Sequence, residues 1–203
     1  MKNIDTKRSY QMSKRAESAA QTEHGIFAAT ITLWRERPLA EITLEEIAER
    51  AGVSTRTVIR RYGSKEGLFE ACIKRSASDM ESNRDLASVG DIEDIIHCLL
   101  TDYEIHGDAM VRTLAAEEQL EVAKRVLKTG REQHREWCAR MFAPYLPDPQ
   151  DSQYEQELMA FIAATELYLW KLLRRDLGHS FSDTRRTFMR LVNGLVKSGS
   201  GSA

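Results

Sequence analysis

Apolar positions recur at helical spacing along almost the whole chain, and no segment sustains the two-residue alternation of a strand. Residues 14–36 place Ala16, Ala19, Ala20, Ile26, Phe27, Ile31 and Trp34 largely on one face, and Pro38 ends that helical region because it cannot sit inside one. Thr43 opens a second helix. Its hydroxyl can cap, and Glu46 at the third position completes a capping box. Leu44, Ile47, Ala48 and Ala51 form the apolar face, and Gly52 supplies the break. Ser54 caps a third, short helix through about Arg61. Ser64 caps a fourth that carries Leu68, Phe69, Cys72 and Ile73.

Longer helices follow. Ile92, Ile95, Ile96, Leu99, Leu100 and Tyr103 make an i, i+3, i+4, i+7, i+8 stripe. Met110, Val111, Leu114 and Ala115 come after Gly107. Val122, Val126, Leu127, Trp137, Cys138, Met141 and Phe142 extend a helix to Pro144. The stretch PYLPDPQDS, 144–152, gathers three of the four prolines and reads as a loop. Residues 153–175 read as one helix, apolar almost all round, and Phe188, Leu191, Val192, Leu195 and Val196 stripe the last. The expectation is an all-α protein of about nine helices. A first domain spans 12–62, a second 63–197 and a flexible tail 198–203.

Composition adds three things. Gly is scarce among 203 residues, and 42% are hydrophobic, enough for a substantial core. No apolar run reaches the ~18 residues that cross a bilayer, and MKNIDTKRSY lacks the apolar core of a signal peptide, so no membrane association is expected. Cys72, Cys98 and Cys138 are odd in number and widely spaced, which argues for a reducing cytoplasm rather than a disulfide framework.

Charge changes the picture more. The net charge is −2, but residues 1–75 hold 14 Lys+Arg against 10 Asp+Glu, and residues 76–203 hold 15 against 21. A basic N-terminal third on an acidic remainder suggests different partners for the two parts. The stretch VSTRTVIRRYGSK, 53–65, carries Arg56, Arg60, Arg61 and Lys65 and no acid. Two short helices joined by a Gly-containing turn make a helix-turn-helix candidate. Val53 and Val58 anchor the second helix. That leaves Thr55, Arg56, Thr57 and Arg60 to face out, on a helix thin enough for the major groove. The helix N-termini at Thr43, Ser54 and Ser64 present backbone N–H groups to phosphate.

The run ITLEEIAERAGVSTRTVIRRYGSKEGLFEACI, Ile42 to Ile73, resembles the DNA-binding domain of the tetracycline-repressor (TetR) family. The residues that carry the resemblance are Thr43, Ile47-Ala48, Ala51-Gly52-Val53-Ser54, Tyr62 and Ser64-Lys65-Glu66. It covers about 60 residues, counting the preceding helix. Two departures matter. Ile59 stands where the family usually carries a phosphate-touching Tyr, and Arg56 stands where a small residue is common. Phosphate gripping is therefore expected to have shifted toward arginine. The nine expected DNA contacts are Thr43, Ser54, Thr55, Arg56, Thr57, Arg60, Arg61, Tyr62 and Lys65.

The resemblance implies a homodimer on a palindromic operator of double-stranded DNA, usually a repressor, released by a small molecule bound in the C-terminal domain. Leu158, Ile162, Leu169, Leu173, Leu191, Leu195 and Val196 are the candidate dimer surface. Tyr103, Met110, Trp137, Met141, Phe142 and Trp170 could line an apolar pocket, with Glu104, His134 or Glu166 to orient an apolar or aromatic effector. No Gly-rich phosphate loop, GxSxG or HExxH is present, so no enzyme and no cofactor is expected. His134 and Cys138 lie four apart on a helix, but no second cluster completes a metal site, and His97 and Cys98 are adjacent and face apart. Two other readings remain open from sequence alone. One is a TetR-like DNA-binding protein that acts without an inducer, as activator or architectural protein. The other is a helical sensor with a vestigial DNA-binding head.

Overall fold

The structure, a computed structural model, describes residues 4–84 and 86–199. Every regular element among the described residues is helical. The α-helices are α1 (Ile4–Glu36), α2 (Leu44–Arg50), α3 (Thr55–Tyr62), α4 (Lys65–Arg84), α5 (Ile92–Ala115), α6 (Glu121–Met141), α7 (Tyr154–Ala164), α8 (Leu167–Lys171) and α9 (Phe181–Gly199). The side chains of Ala16 and Ile73 and the tail from residue 200 lie outside the described residues, while 198 and 199 belong to α9.

The chain forms two compact units, residues 1–72 and 73–203. The division falls ten residues beyond the expected 62/63 boundary, because the first half of α4 carries core residues of the first unit: Leu68, Phe69 and Cys72 are buried there. In that unit Ile26, Leu33, Leu39, Ile42, Ile47, Ala48 and Val58 are the rest of the core. Salt bridges Arg37–Glu46 (2.6 Å) and Arg50–Glu36 (3.0 Å) join the end of α1 to α2.

In the second unit, α5 packs on α6, α8 and α9, and α7 packs on α6 and α9. One cluster fills it, from Ile95, Ile96, Leu99, Leu100 and Tyr103 on α5 to Phe188 and Val192 on α9. Phe142 stacks on Phe161 with ring centroids 4.5 Å apart. The loop of 144–152 is irregular apart from a short 3-10 turn, Ala143–Tyr145.

The single helix expected over 153–175 is interrupted. Thr165 separates α7 from α8, and Glu166 has extended backbone (ψ 146°). The fully buried Thr165 hydroxyl donates to the carbonyl of Phe161 (2.7 Å), and the Thr165 carbonyl accepts from Tyr103 Oη (2.9 Å). A hydroxyl that bonds back to the i−4 carbonyl weakens the helix there, and the tyrosine takes over the carbonyl that is freed. Beyond Lys171, residues Leu172–Asp176 wind as a π-turn.

Candidate nucleic-acid interface

The basic stretch of 53–65 is held by local bonds. Thr43 caps α2 with its hydroxyl (Glu46 N to Oγ1, 3.2 Å), and Glu46 Oε2 accepts from the Thr43 backbone N–H (3.0 Å). Arg37 and this cap together hold the Glu46 carboxyl down at about 2. Gly52 follows α2 with φ +66°, a left-handed conformation that side chains with a Cβ disfavour. Gly52 N–H then donates to Glu49 (3.1 Å) and Val53 N–H to Ala48 (2.9 Å), the paired bonds of a Schellman ending. Ser54 Oγ accepts from Thr57 N (3.2 Å) and starts α3 at once. Four residues, 51–54, thus turn the chain from α2 into α3.

At the far end of α3 the corner into α4 is closer still. A Cβ on Gly67 would lie 2.2 Å from the Tyr62 carbonyl oxygen, so only glycine admits this approach. Ser64 Oγ caps α4 through Gly67 N (3.2 Å).

Around α3 the two sides differ. Val58 is buried, and Tyr62 turns inward against Phe27 with its hydroxyl atom buried. Thr57 bonds the Ser54 hydroxyl (2.9 Å). Arg61 reaches α1, donating to the Ala19 carbonyl (3.2 Å) with Glu23 3.7 Å away. Lys65 is half-buried and donates to the Ala40 carbonyl (3.4 Å), and burial lowers its pKa. Arg56 and Arg60 remain, both exposed and four apart on one face. Neither has a hydrogen-bond or ion-pair partner among the described residues. Thr55 and Ile59 share that side at the same spacing.

The three helix N-termini also differ. α2 carries Glu45 and Glu46 in its first turn and α4 carries Glu66, whereas α3 has no acid there. A carboxylate already occupies the positive end of the other two dipoles. The expected contacts therefore separate. Arg56, Arg60 and Thr55 form the outward face with Ser54 at its start. Tyr62, Thr57, Arg61 and Lys65 are engaged in holding the motif, and the Thr43 hydroxyl is committed to its cap. Ile59, not among the expected contacts, is 46% exposed on the same face.

In the second unit Tyr103, Trp137, Met141, Phe142 and Trp170 are brought together, but as mutually packed core, with Met110 against them. Glu166 stands half-buried, and burial raises its pKa. Trp170 Nε1 donates to Glu104 (2.8 Å), which Arg174 grips through two nitrogens (2.6 and 2.9 Å). The cluster also holds polar groups that periodicity does not reveal. Arg84 is 7% exposed, donates to buried Asp102 (2.7 Å), and lies 5.4 Å from the ring centroids of both Tyr103 and Trp137.

His134 and Cys138 do meet, at 3.7 Å, beside Thr165 Oγ1. No group of three His, Cys, Asp or Glu that could hold a metal occurs among the described residues. Burial pushes the Cys138 thiol up to about 12, so it stays a protonated, unreactive thiol. Burial, and then the charge of Arg84, holds the His134 imidazole down at about 3. Below its ordinary 6.5 the unfolded chain takes up a proton that the folded protein refuses, so stability falls as pH drops from about 6.5 toward 3. Urea midpoints measured from pH 7 to 5 should decline, and decline less in His134→Gln. Equal slopes in the two proteins would contradict this assignment.

Of the seven candidate dimer residues, Leu158 and Leu173 are buried in the chain's own core and offer nothing to a partner. Ile162, Leu169, Leu195 and Val196 are half-buried against that core, and Leu191 is exposed. Met159, Tyr168, Leu172 and Leu177 are also exposed.

A short helix, a glycine turn and a second helix whose outward side is free define a helix-turn-helix unit. Residues 26–72 of the chain match the family model for bacterial regulatory proteins of the tetR family. Over 90 residues it is 31% identical to an uncharacterized HTH-type transcriptional regulator, YvkB, of Bacillus subtilis (strain 168). That alignment takes in 43% of this chain and 48% of the relative, so the chain spans about half the length of the curated relative it matches. Its fold is similar to that of a tetR-family transcriptional regulator from Streptomyces coelicolor. The TM-score is 0.70 at 14% identity, over 91% of this chain and 84% of that one. It is also similar to a TetR-family regulator from Streptomyces coelicolor A3, with a TM-score of 0.52 at 19% identity over 88% and 96%. All three are named as regulators, none as an enzyme. No helix among the described residues is long and apolar enough to cross a membrane.

Proposed function

We propose that the protein is a transcriptional repressor that binds a palindromic operator as a homodimer and is released by a small apolar or aromatic molecule. The observation that carries the DNA-binding part is the outward face of α3, where Arg56 and Arg60 stand exposed and unpartnered beside an N-terminus free of acid. Five arginines of the second unit are paired by contrast: Arg84, Arg131, Arg135, Arg174 and Arg175 each hold a carboxylate. An exposed pair left without partners on a groove-sized helix suits guanine edges and phosphate.

One short helix reads too few bases to stand out against a genome, and two copies at fixed spacing remedy this. The exposed Tyr168, Leu172 and Leu191, in α8, its π-turn and α9, favour the C-terminal helices as the dimer contact. For the effector, the packed rings of Tyr103, Trp137 and Trp170 supply an apolar surrounding, with Glu166 at hand to orient a polar end. A ligand would bind by replacing contacts among these rings, so its arrival would be felt by α5, α6 and α8 together.

Selection from random duplex DNA should enrich a palindrome with half-sites about one helical turn apart. An anisotropy titration should then show saturable binding that weakens steeply with salt. Aromatic small molecules should be screened for release of that complex. No enriched sequence and no sequence-preferring binding at low salt would sink the proposal. A palindrome that no small molecule releases would leave a DNA-binding regulator that acts without an inducer.

A further inference from the structure

We infer that Ile59 reads the C5-methyl group of thymine, so that each half-site carries a thymine at one fixed position. The inference rests on the reading of α3 as the helix that enters the groove.

Ile59 is exposed although the core of its unit does not need it there, because the adjacent Val58 is fully buried and supplies the anchor. It stands three residues from Arg56 and next to Arg60, on the side of α3 that carries both unpartnered guanidinium groups. Any duplex that these arginines grip therefore covers Ile59 as well. An isoleucine donates and accepts nothing, so it cannot answer a phosphate or a base nitrogen. The wall of the major groove is made of donors and acceptors, with one prominent apolar group, the thymine methyl. Set against any other edge, Ile59 would strip water from a polar atom and return no hydrogen bond. The side chain is also suited to a fixed contact. A β-branched residue in a helix holds nearly a single χ1 rotamer, so little freedom is lost on docking. Ile59 and Arg56 together then define a composite reader, one by shape and one by hydrogen bonds.

The test uses the full chain and the selected operator. Each thymine is replaced in turn by deoxyuridine, which removes the methyl and nothing else. At one position per half-site the wild-type protein should lose about four-fold in affinity, and about fifteen-fold when both half-sites are changed. Ile59→Ala should bind thymine and uracil operators alike, and Ile59→Val should retain part of the discrimination. Because the side chain is exposed, neither variant should lose helical content by circular dichroism. If every uracil operator binds the wild type as well as the parent does, the inference is wrong. It is equally wrong if Ile59→Ala keeps the wild-type thymine-to-uracil ratio. In both cases sequence-preferring binding survives, and only the methyl contact falls. Absence of sequence-preferring binding by the wild type would overturn this inference and the function on which it rests.

Discussion

Asp102→Ala is expected to lose about 3–5 kcal/mol of stability, a large part of what a domain possesses. Asp102 accepts from Arg84 at 2.7 Å inside the second unit, and the two side chains are 5% and 9% exposed. Removing the carboxylate leaves a guanidinium buried between the rings of Tyr103 and Trp137, which stabilise it by far less than an opposite charge would. The pair itself contributes little net stability, because both ions were taken out of water to form it. The same reasoning therefore requires that replacing both, as Arg84→Met with Asp102→Leu, recovers most of the loss. Urea unfolding followed by circular dichroism measures the two. An Asp102→Ala midpoint close to wild type would contradict the account, as would a double variant no more stable than the single.

The largest expected effect on DNA comes from Arg56→Ala with Arg60→Ala. A bidentate arginine–guanine contact is worth about 1–3 kcal/mol, and a dimer places two copies. Both side chains are exposed and bonded to nothing among the described residues, so their removal should leave the helical signal unchanged. Arg56→Ala alone should relax the choice of base at one position per half-site. Lys65→Ala should weaken all sequences about equally, since Lys65 reads no base and its bond to the Ala40 carbonyl helps to hold the motif in place. Identical specificity profiles for the two would refute that division.

The first unit was largely legible in the sequence because its decisions are local. The Thr43–Glu46 box, the Gly52 turn and the Ser54 and Ser64 caps are each written within four residues, and the structure forms all of them. What faces outward on α3 was legible only in part. Arg61 and Tyr62 look like contacts in a basic run, and the partners that hold them, Ala19, Glu23 and Phe27, lie some 35 to 42 residues earlier. The second unit hides more. In a segment apolar all round, periodicity does not say which side meets the core, so Leu158 and Leu173 read like Tyr168 and Leu172 although the first two are buried and the others exposed. The break at Thr165 depends on Tyr103, 62 residues away, and the Arg84–Asp102 pair joins two helices. Neither leaves a mark in local pattern.

The central claim is that α3 is the surface that meets DNA, and titration of the selected operator across a series of salt concentrations tests it most directly. Wild-type protein should bind saturably, with affinity falling linearly in log–log form as salt rises, because phosphate contacts release counterions. The Arg56→Ala, Arg60→Ala protein, with its helical signal intact, should bind far more weakly and with a shallower slope. A double variant that matches wild type in affinity, slope and sequence preference would show that the DNA lies elsewhere.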